Sequence, residues 1–168
     1  QFDKALSTYF KALEYDPNNA ALHNNIAIVF IHLNDNDEAI RWLQKATAIN
    51  PKYVTAYVNL GDIAHLNGNF ELAGQAYRNA LALQDDAALQ HKLGKLEYEQ
   101  GNFEAAITEF QHILKHHPND AYTLHDLALA YAALKEYTQA KRTIQRAIER
   151  APDDFKNYFT LGSIAMYQ

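Results

Sequence analysis

The chain contains no cysteine. Disulfides, thiolate zinc sites and cysteine nucleophiles are thereby excluded, while the compartment stays open. Proline occurs four times, glycine six times, and methionine and tryptophan once each in 168 residues. Positive charge is the minority sign, with 15 Lys and Arg against 20 Asp and Glu and a formal net charge of −5. No global basic field draws the chain to nucleic acid or anionic lipid, and neither is expected as a partner. No apolar run approaches the roughly 18 residues that a membrane span needs, and no signal peptide is legible. The first residue is Gln1, which reads as a segment of a longer chain. A phosphate-binding glycine loop, His-Glu-x-x-His and Gly-x-Ser-x-Gly are all missing, so no catalytic residue is expected. Paired acids such as Asp85-Asp86 and Asp153-Asp154 lie in loops and read as helix caps. The 48% hydrophobic content nevertheless demands a folded core.

The few prolines and glycines keep time. Pro17, Pro51, Pro118 and Pro152 lie at steps of 34 (17 to 51), 67 (51 to 118) and 34 (118 to 152). The long step combines 34 and 33, so one mark and one residue are missing near residue 85. Gly61, Gly94 and Gly162 share a second phase, and Gly68 and Gly101 a third. Alanine follows at Ala5, Ala39, Ala73, Ala106 and Ala140, with an aromatic three before most of them, at Phe2, Phe70, Phe103 and Tyr137. Asn36 breaks that aromatic column. A further column runs Ala12, Ala46, Ala80, Ile113, Ala147. A period of this size marks a stacked-repeat protein, which presents a long surface in place of a deep pocket.

Each unit reads as two helices. After Pro118, Asn119 or Asp120 can cap a helix through Leu124, Leu127, Ala128 and Tyr131, whose spacing describes one helical face. A turn near Lys135-Glu136 leads to a second helix carrying Tyr137, Ala140, Ile144, Ala147 and Ile148. It stops before Pro152, because the residue before a proline is pushed out of the α region. Small residues such as Gly94 and Ala140 let helices approach closely, with a bulky neighbour filling the space beside them. Gly68 and Gly101 end first helices, where a left-handed residue is commonly needed.

These columns resemble the tetratricopeptide repeat. The match is Leu-Gly-x-x-Ala-x-x-x-Gly from Leu60 to Gly68, followed by Ala73 and Tyr77. It recurs as Leu93-Gly94, Gly101, Ala106, Phe110 and Pro118, and again as Leu127-Ala128, Tyr131, Ala140, Ile144, Ala147 and Pro152. Pentatricopeptide repeats have a similar period but bind RNA, and the acidic balance argues against them. The resemblance implies an all-α, right-handed superhelical solenoid of antiparallel helix pairs. The phase predicts a single solenoid over 1–168. Residues 1–19 are a second helix alone; 20–53, 54–86, 87–120 and 121–154 are complete repeats; 155–168 are a first helix alone. The last helix carries Phe155, Tyr158, Phe159, Leu161, Ile164, Met166 and Tyr167, which is apolar for a solvating cap. The missing residue falls near Asp85, where the loop either drifts harmlessly or alters the local curvature.

In the resembled family the first helices line a concave groove for partner peptides or protein surfaces. Transferred by phase, the groove takes Asn24, Asn25, Ile28 and His32, then Val58, Asn59, Asp62 and His65. The third repeat supplies His91, Lys92, Lys95 and Tyr98; the fourth supplies Tyr122, His125, Asp126 and Leu129. Lys156, Phe159, Thr160 and Ser163 come from the last helix. An asparagine both donates and accepts, so it can pair with an extended peptide backbone. Asn25 and Asn59 stand in equivalent phase, like the start of the asparagine ladder found in some grooves of this family; Lys92, Asp126 and Thr160 interrupt it. The two-carboxylate clamp for chaperone tails fits only at Asn59 and Lys92, so chaperone-tail binding is not expected. Lys92 and Lys95 between Asp62 and Asp126 suit a polar peptide with one acidic group.

His112 and His116 stand four apart, with His117 alongside, but no third ligand follows at a familiar spacing. No metal and no cofactor are expected. The function implied is a protein-interaction scaffold binding a partner peptide or helix in its groove. Two alternatives come from other classes: end-to-end self-association through the apolar terminal helices, and a substrate-recruiting arm of an enzyme such as a glycosyltransferase whose catalytic domain lies elsewhere.

Overall fold

The computed structural model describes residues 1–167. They fold as two compact units that divide between Asp85 and Asp86, at the shortened loop. The first unit holds α1 (Phe2–Tyr15), α2 (Ala20–His32), α3 (Asn36–Ile49), α4 (Val54–Leu66) and α5 (Phe70–Leu83). The second holds α6 (Ala87–Glu99), α7 (Phe103–His116), α8 (Ala121–Ala133), α9 (Tyr137–Arg150) and α10 (Phe155–Met166). No strand occurs among the described residues. Within the first unit α2 packs on α3 and α4 on α5; within the second, α6 packs on α7 and α8 on α9. Each of these pairs closes through a turn of a few residues, so its helices run antiparallel. The expected all-α fold of antiparallel helix pairs is the fold each unit adopts.

The helix boundaries have local causes. Asn19, Asp35, Asn69, Asp86 and Asp154 accept hydrogen bonds from the backbone N–H of Leu22, Glu38, Leu72, Leu89 and Lys156, at 3.0–3.2 Å except 2.9 Å at Asp86. Each such cap contributes about 1 kcal/mol by satisfying a donor that the helix itself cannot. Of the two acids at the shortened loop, Asp86 is therefore the one that caps. The turns inside the pairs need a left-handed residue: φ is +75° at Gly68 and +80° at Gly101. Asn34 (+59°) and Lys135 (+62°) hold the same place in the other pairs.

The repeating alanines form the seams. Ala39, Ala73, Ala106 and Ala140 are wholly buried, as are Ala46, Ala80 and Ala147. Opposite the first-helix position Ala27, Gly61, Gly94, Ala128 stands the second-helix position Leu43, Tyr77, Phe110, Ile144, each side chain at most 1% exposed. Burying one such side chain stabilises by about 2 kcal/mol. The pairing is matched in size. A Cβ on Gly61 would meet the Tyr77 ring at 2.3 Å, and one on Gly94 the Phe110 ring at 2.6 Å. Glycine faces the aromatics, and alanine faces the aliphatics. Each unit thus has closely packed apolar seams between its paired helices.

Candidate functional site

The second unit carries the more developed surface. Along the first-helix face, α6 presents Lys92 and Lys95 to solvent, with Tyr98 half-buried. Tyr98 is positioned by the ring of Phe103, 5.3 Å away. Between α6, α7 and α8 lies a cavity of about 260 Å³ lined by Lys95, Tyr98, Glu99, Phe110, Asp126 and Leu129. Its floor is apolar (Phe110, Leu129, the Tyr98 ring), and both signs of charge stand at its rim. A cavity of that size takes one side chain of a partner, not a metabolite.

Behind this rim His91 is 9% exposed. Its Nε2 lies 3.0 Å from Asp126 Oδ2, with both atoms sealed from solvent. The contact has ion-pair distance when His91 is protonated but lacks the alignment of a hydrogen bond, and neither atom has another partner. Tyr122 stacks on the imidazole with ring centres 4.6 Å apart, and Phe110 supports it at 5.3 Å. His91 also borders a second cavity, of about 520 Å³, with Ala88, His117, Asp120, Tyr122 and Thr123 along its wall. The His91–Asp126 pair is therefore the partition between the two cavities. His125, half-buried, has its Nδ1 2.8 Å from Asn157 Oδ1.

In the first unit the same face is tied down by its own side chains. Asn59 Nδ2 donates to Asn24 Oδ1 at 2.9 Å, and Asn24 is only 2% exposed. Tyr77 donates its hydroxyl to Asp62 at 2.8 Å. His65 lies against Phe70 with ring centres 5.7 Å apart, and Asn25 and Ile28 are half-buried. Of the residues the phase assigned to the face, His32, Lys92, Lys95, Tyr122, Lys156 and Phe159 are exposed. Asn24 and His91 lie beneath the surface and orient Asn59 and Asp126. Thr123, Asp120 and His117, around the larger cavity, escaped the phase reading because they come from helix ends and an inter-repeat turn. A search for polar residues flanking the prolines would have found Asp120 and His117.

Among the described residues no three His, Asp or Glu side chains are grouped to hold a metal. His112 and His116 pack edge to face at 5.9 Å. No helix among the described residues is long and apolar enough to cross a membrane.

The family model of the tetratricopeptide repeat matches residues 1–61, 64–125 and 97–163. Protein O-mannosyl-transferase TMTC3 of Homo sapiens is 29% identical over 98% of this chain, which spans 19% of that protein. BBSome complex member BBS4 of Bos taurus is 24% identical over 95% of the chain, spanning 31% of that protein. The chain thus covers a third or less of these relatives. Among solved structures, MamA is similar with a TM-score of 0.80 at 24% identity, covering 92% of this chain and 85% of that one. YrrB, a TPR protein with an unusual peptide-binding site, has a TM-score of 0.78 at 19% identity, covering 95% and 82%. These likenesses give the fold class, a helical-repeat solenoid.

Proposed function

The chain belongs to the tetratricopeptide repeat family, whose members are generally protein-interaction scaffolds, and we propose that it binds a partner peptide or helix on its first-helix faces. One observation carries the reading: the cavity of about 260 Å³ at Lys95, Tyr98, Phe110, Asp126 and Leu129. An apolar floor holds one aliphatic or aromatic side chain. Lys95 and Asp126 at the rim fix the chain direction by pairing with groups of opposite sign. Lys92 extends the polar lining on α6, and in the first unit Asn25 and Asn59 are the polar candidates on that unit's own first-helix face. The sequence similarity to proteins of this family, and a solved neighbour with a peptide-binding site of its own, support the same class of ligand.

The test is selection from a displayed random-peptide library, followed by affinity measurement against Leu129→Trp. That substitution fills the cavity without touching the helix pairings. A loss of binding of at least about tenfold, with unchanged helical content, is expected. Selected peptides that bind Leu129→Trp as well as the parent chain would remove the reading.

The near-complete alignment with a mannosyltransferase favours a second reading. In it the same faces recruit the substrate of an enzyme whose catalytic region lies outside these repeats. Fusing the chain to that region and comparing turnover with Leu129→Trp in the fusion separates the two. An unaltered KM for a protein acceptor would set the recruiting role aside.

A further inference from the structure

The face built by the second helices carries a different kind of site. In the second unit, α7 and α9 flank α8 and leave a cleft of about 650 Å³ over it. Lys115 of α7 and Arg142 and Arg146 of α9 line this cleft, and no Asp or Glu does. Such a concentration stands out in a chain of net charge −5. Along the whole of α9 the cations Lys141, Arg142, Arg146 and Arg150 face a single acid, Glu149. Among the described residues, Lys115, Arg142 and Arg146 have no carboxylate within ion-pair reach. These exposed charges are left unneutralised, and one of them is positioned by a hydrogen bond. Arg146 donates from Nη2 to the carbonyl of Pro118 at 3.1 Å, which uses one of its five donors.

The floor is mixed: the buried Thr143 and the Tyr131 hydroxyl, which accepts from Gln111 Nε2 at 2.8 Å, stand beside two leucines. Leu127 is 4% exposed and Leu114 half-buried beneath the cations. A free phosphate or sulfate would engage the cations and leave the two leucines uncovered, and the acidic chain as a whole disfavours nucleic acid. Arg142 and Arg146 are one helical turn apart, so their heads suit two carboxylates at a matching spacing. We propose that this cleft docks an acidic helical segment of a partner protein, with Glu or Asp one turn apart on the two arginines and an aliphatic side chain on Leu114 and Leu127. The site uses none of the residues of the first-helix face and stands independently of it.

The probe is a fluorescein-labelled peptide, Glu-Ala-Ala-Leu-Glu-Ala-Ala-Leu-Glu, titrated by anisotropy at low and physiological salt. Binding that weakens with salt is expected. Arg142→Glu with Arg146→Glu should weaken it at least about tenfold while circular dichroism stays unchanged, because two attractions become repulsions. Leu129→Trp, on the opposite face, should leave it intact. Absence of binding, equal affinity of the double variant, or equal affinity for the same peptide with Gln in place of Glu would each overturn the proposal. Sedimentation equilibrium supplies a further arm: dimerisation of the parent chain abolished by the two charge reversals would assign the cleft to a second copy, and so overturn it as well.

Discussion

The two units place different chemistry in the same two repeat positions. In the first, Asn24 and Asn59 share an amide–amide hydrogen bond. In the second, those positions are His91 and Asp126, which meet as an ionisable pair. The contrast recurs one turn along. The Tyr77 hydroxyl reaches Asp62 in the first unit, whereas Phe110 and Lys95 hold those positions in the second. Phe110 has no hydroxyl and Lys95 no acceptor, so the bridge cannot form, and a cavity lies between them. One backbone plan therefore gives a self-satisfied face in one unit and a receptive face in the other, through substitutions at four positions that leave the helix pairing alone.

The largest effect should come from the pairing that both units share. Gly61→Ala and Gly94→Ala force a Cβ into a buried ring. Each should destabilise by about 2 kcal/mol or more, even after the roughly 1 kcal/mol that alanine returns through helix propensity. Adding Tyr77→Leu to Gly61→Ala recreates the Ala27–Leu43 arrangement and should restore much of the loss. Urea midpoints decide it, and an unrescued double variant would break the size-matching account.

The polar pairs come next. Asp126→Ala removes the carboxylate 3.0 Å from the buried His91 Nε2, which has no hydrogen bond in its place, and should cost about 1–3 kcal/mol, whereas Asn59→Ala should cost about 1 kcal/mol. The combined change His91→Asn and Asp126→Asn converts the second unit to the chemistry of the first and should cost less than Asp126→Ala alone. Thermal melting at fixed pH ranks the three, and a double variant no better than the single one would show that the two positions are not interchangeable.

The smallest effect belongs to Gly162, which stands in the phase of Gly61 and Gly94 yet would place its Cβ in open space. Gly162→Ala should stabilise by up to about 1 kcal/mol through helix propensity, read as a small rise in melting temperature. A loss there would mean that the outer face of α10 is engaged in solution.

Most of the fold was legible because its period is written in residues with backbone consequences. Gly68 and Gly101 announce left-handed turns, and the alanine columns announce close helix contacts. Asn34 and Lys135 adopt the same conformation without announcing it, since the rest of the turn imposes it on them. The candidate site was less legible. Comparing residues in one phase suggested Asn25 beside Asn59, but the hydrogen bond joins neighbouring phases, Asn24 to Asn59. Burial of His91 depends on Tyr122, an aromatic where the other repeats have Ala21, Thr55, Ala88 and Lys156. Periodicity averages away such exceptions, and here the exceptions make the surface.

The glycine–aromatic and alanine–aliphatic couples have a consequence for how such a chain can be rearranged. Both members of each couple lie within one repeat, on either side of its inner turn. Recombination at the inter-repeat loops moves intact couples, so whole repeats can be duplicated, deleted or traded without disturbing these couples. Recombination at an inner turn would set alanine against tyrosine, or glycine against leucine, giving collision in one product and a void in the other. The heritable module of this chain is therefore bounded by its inter-repeat loops, and its left-handed inner turns are the places where a crossover is penalised.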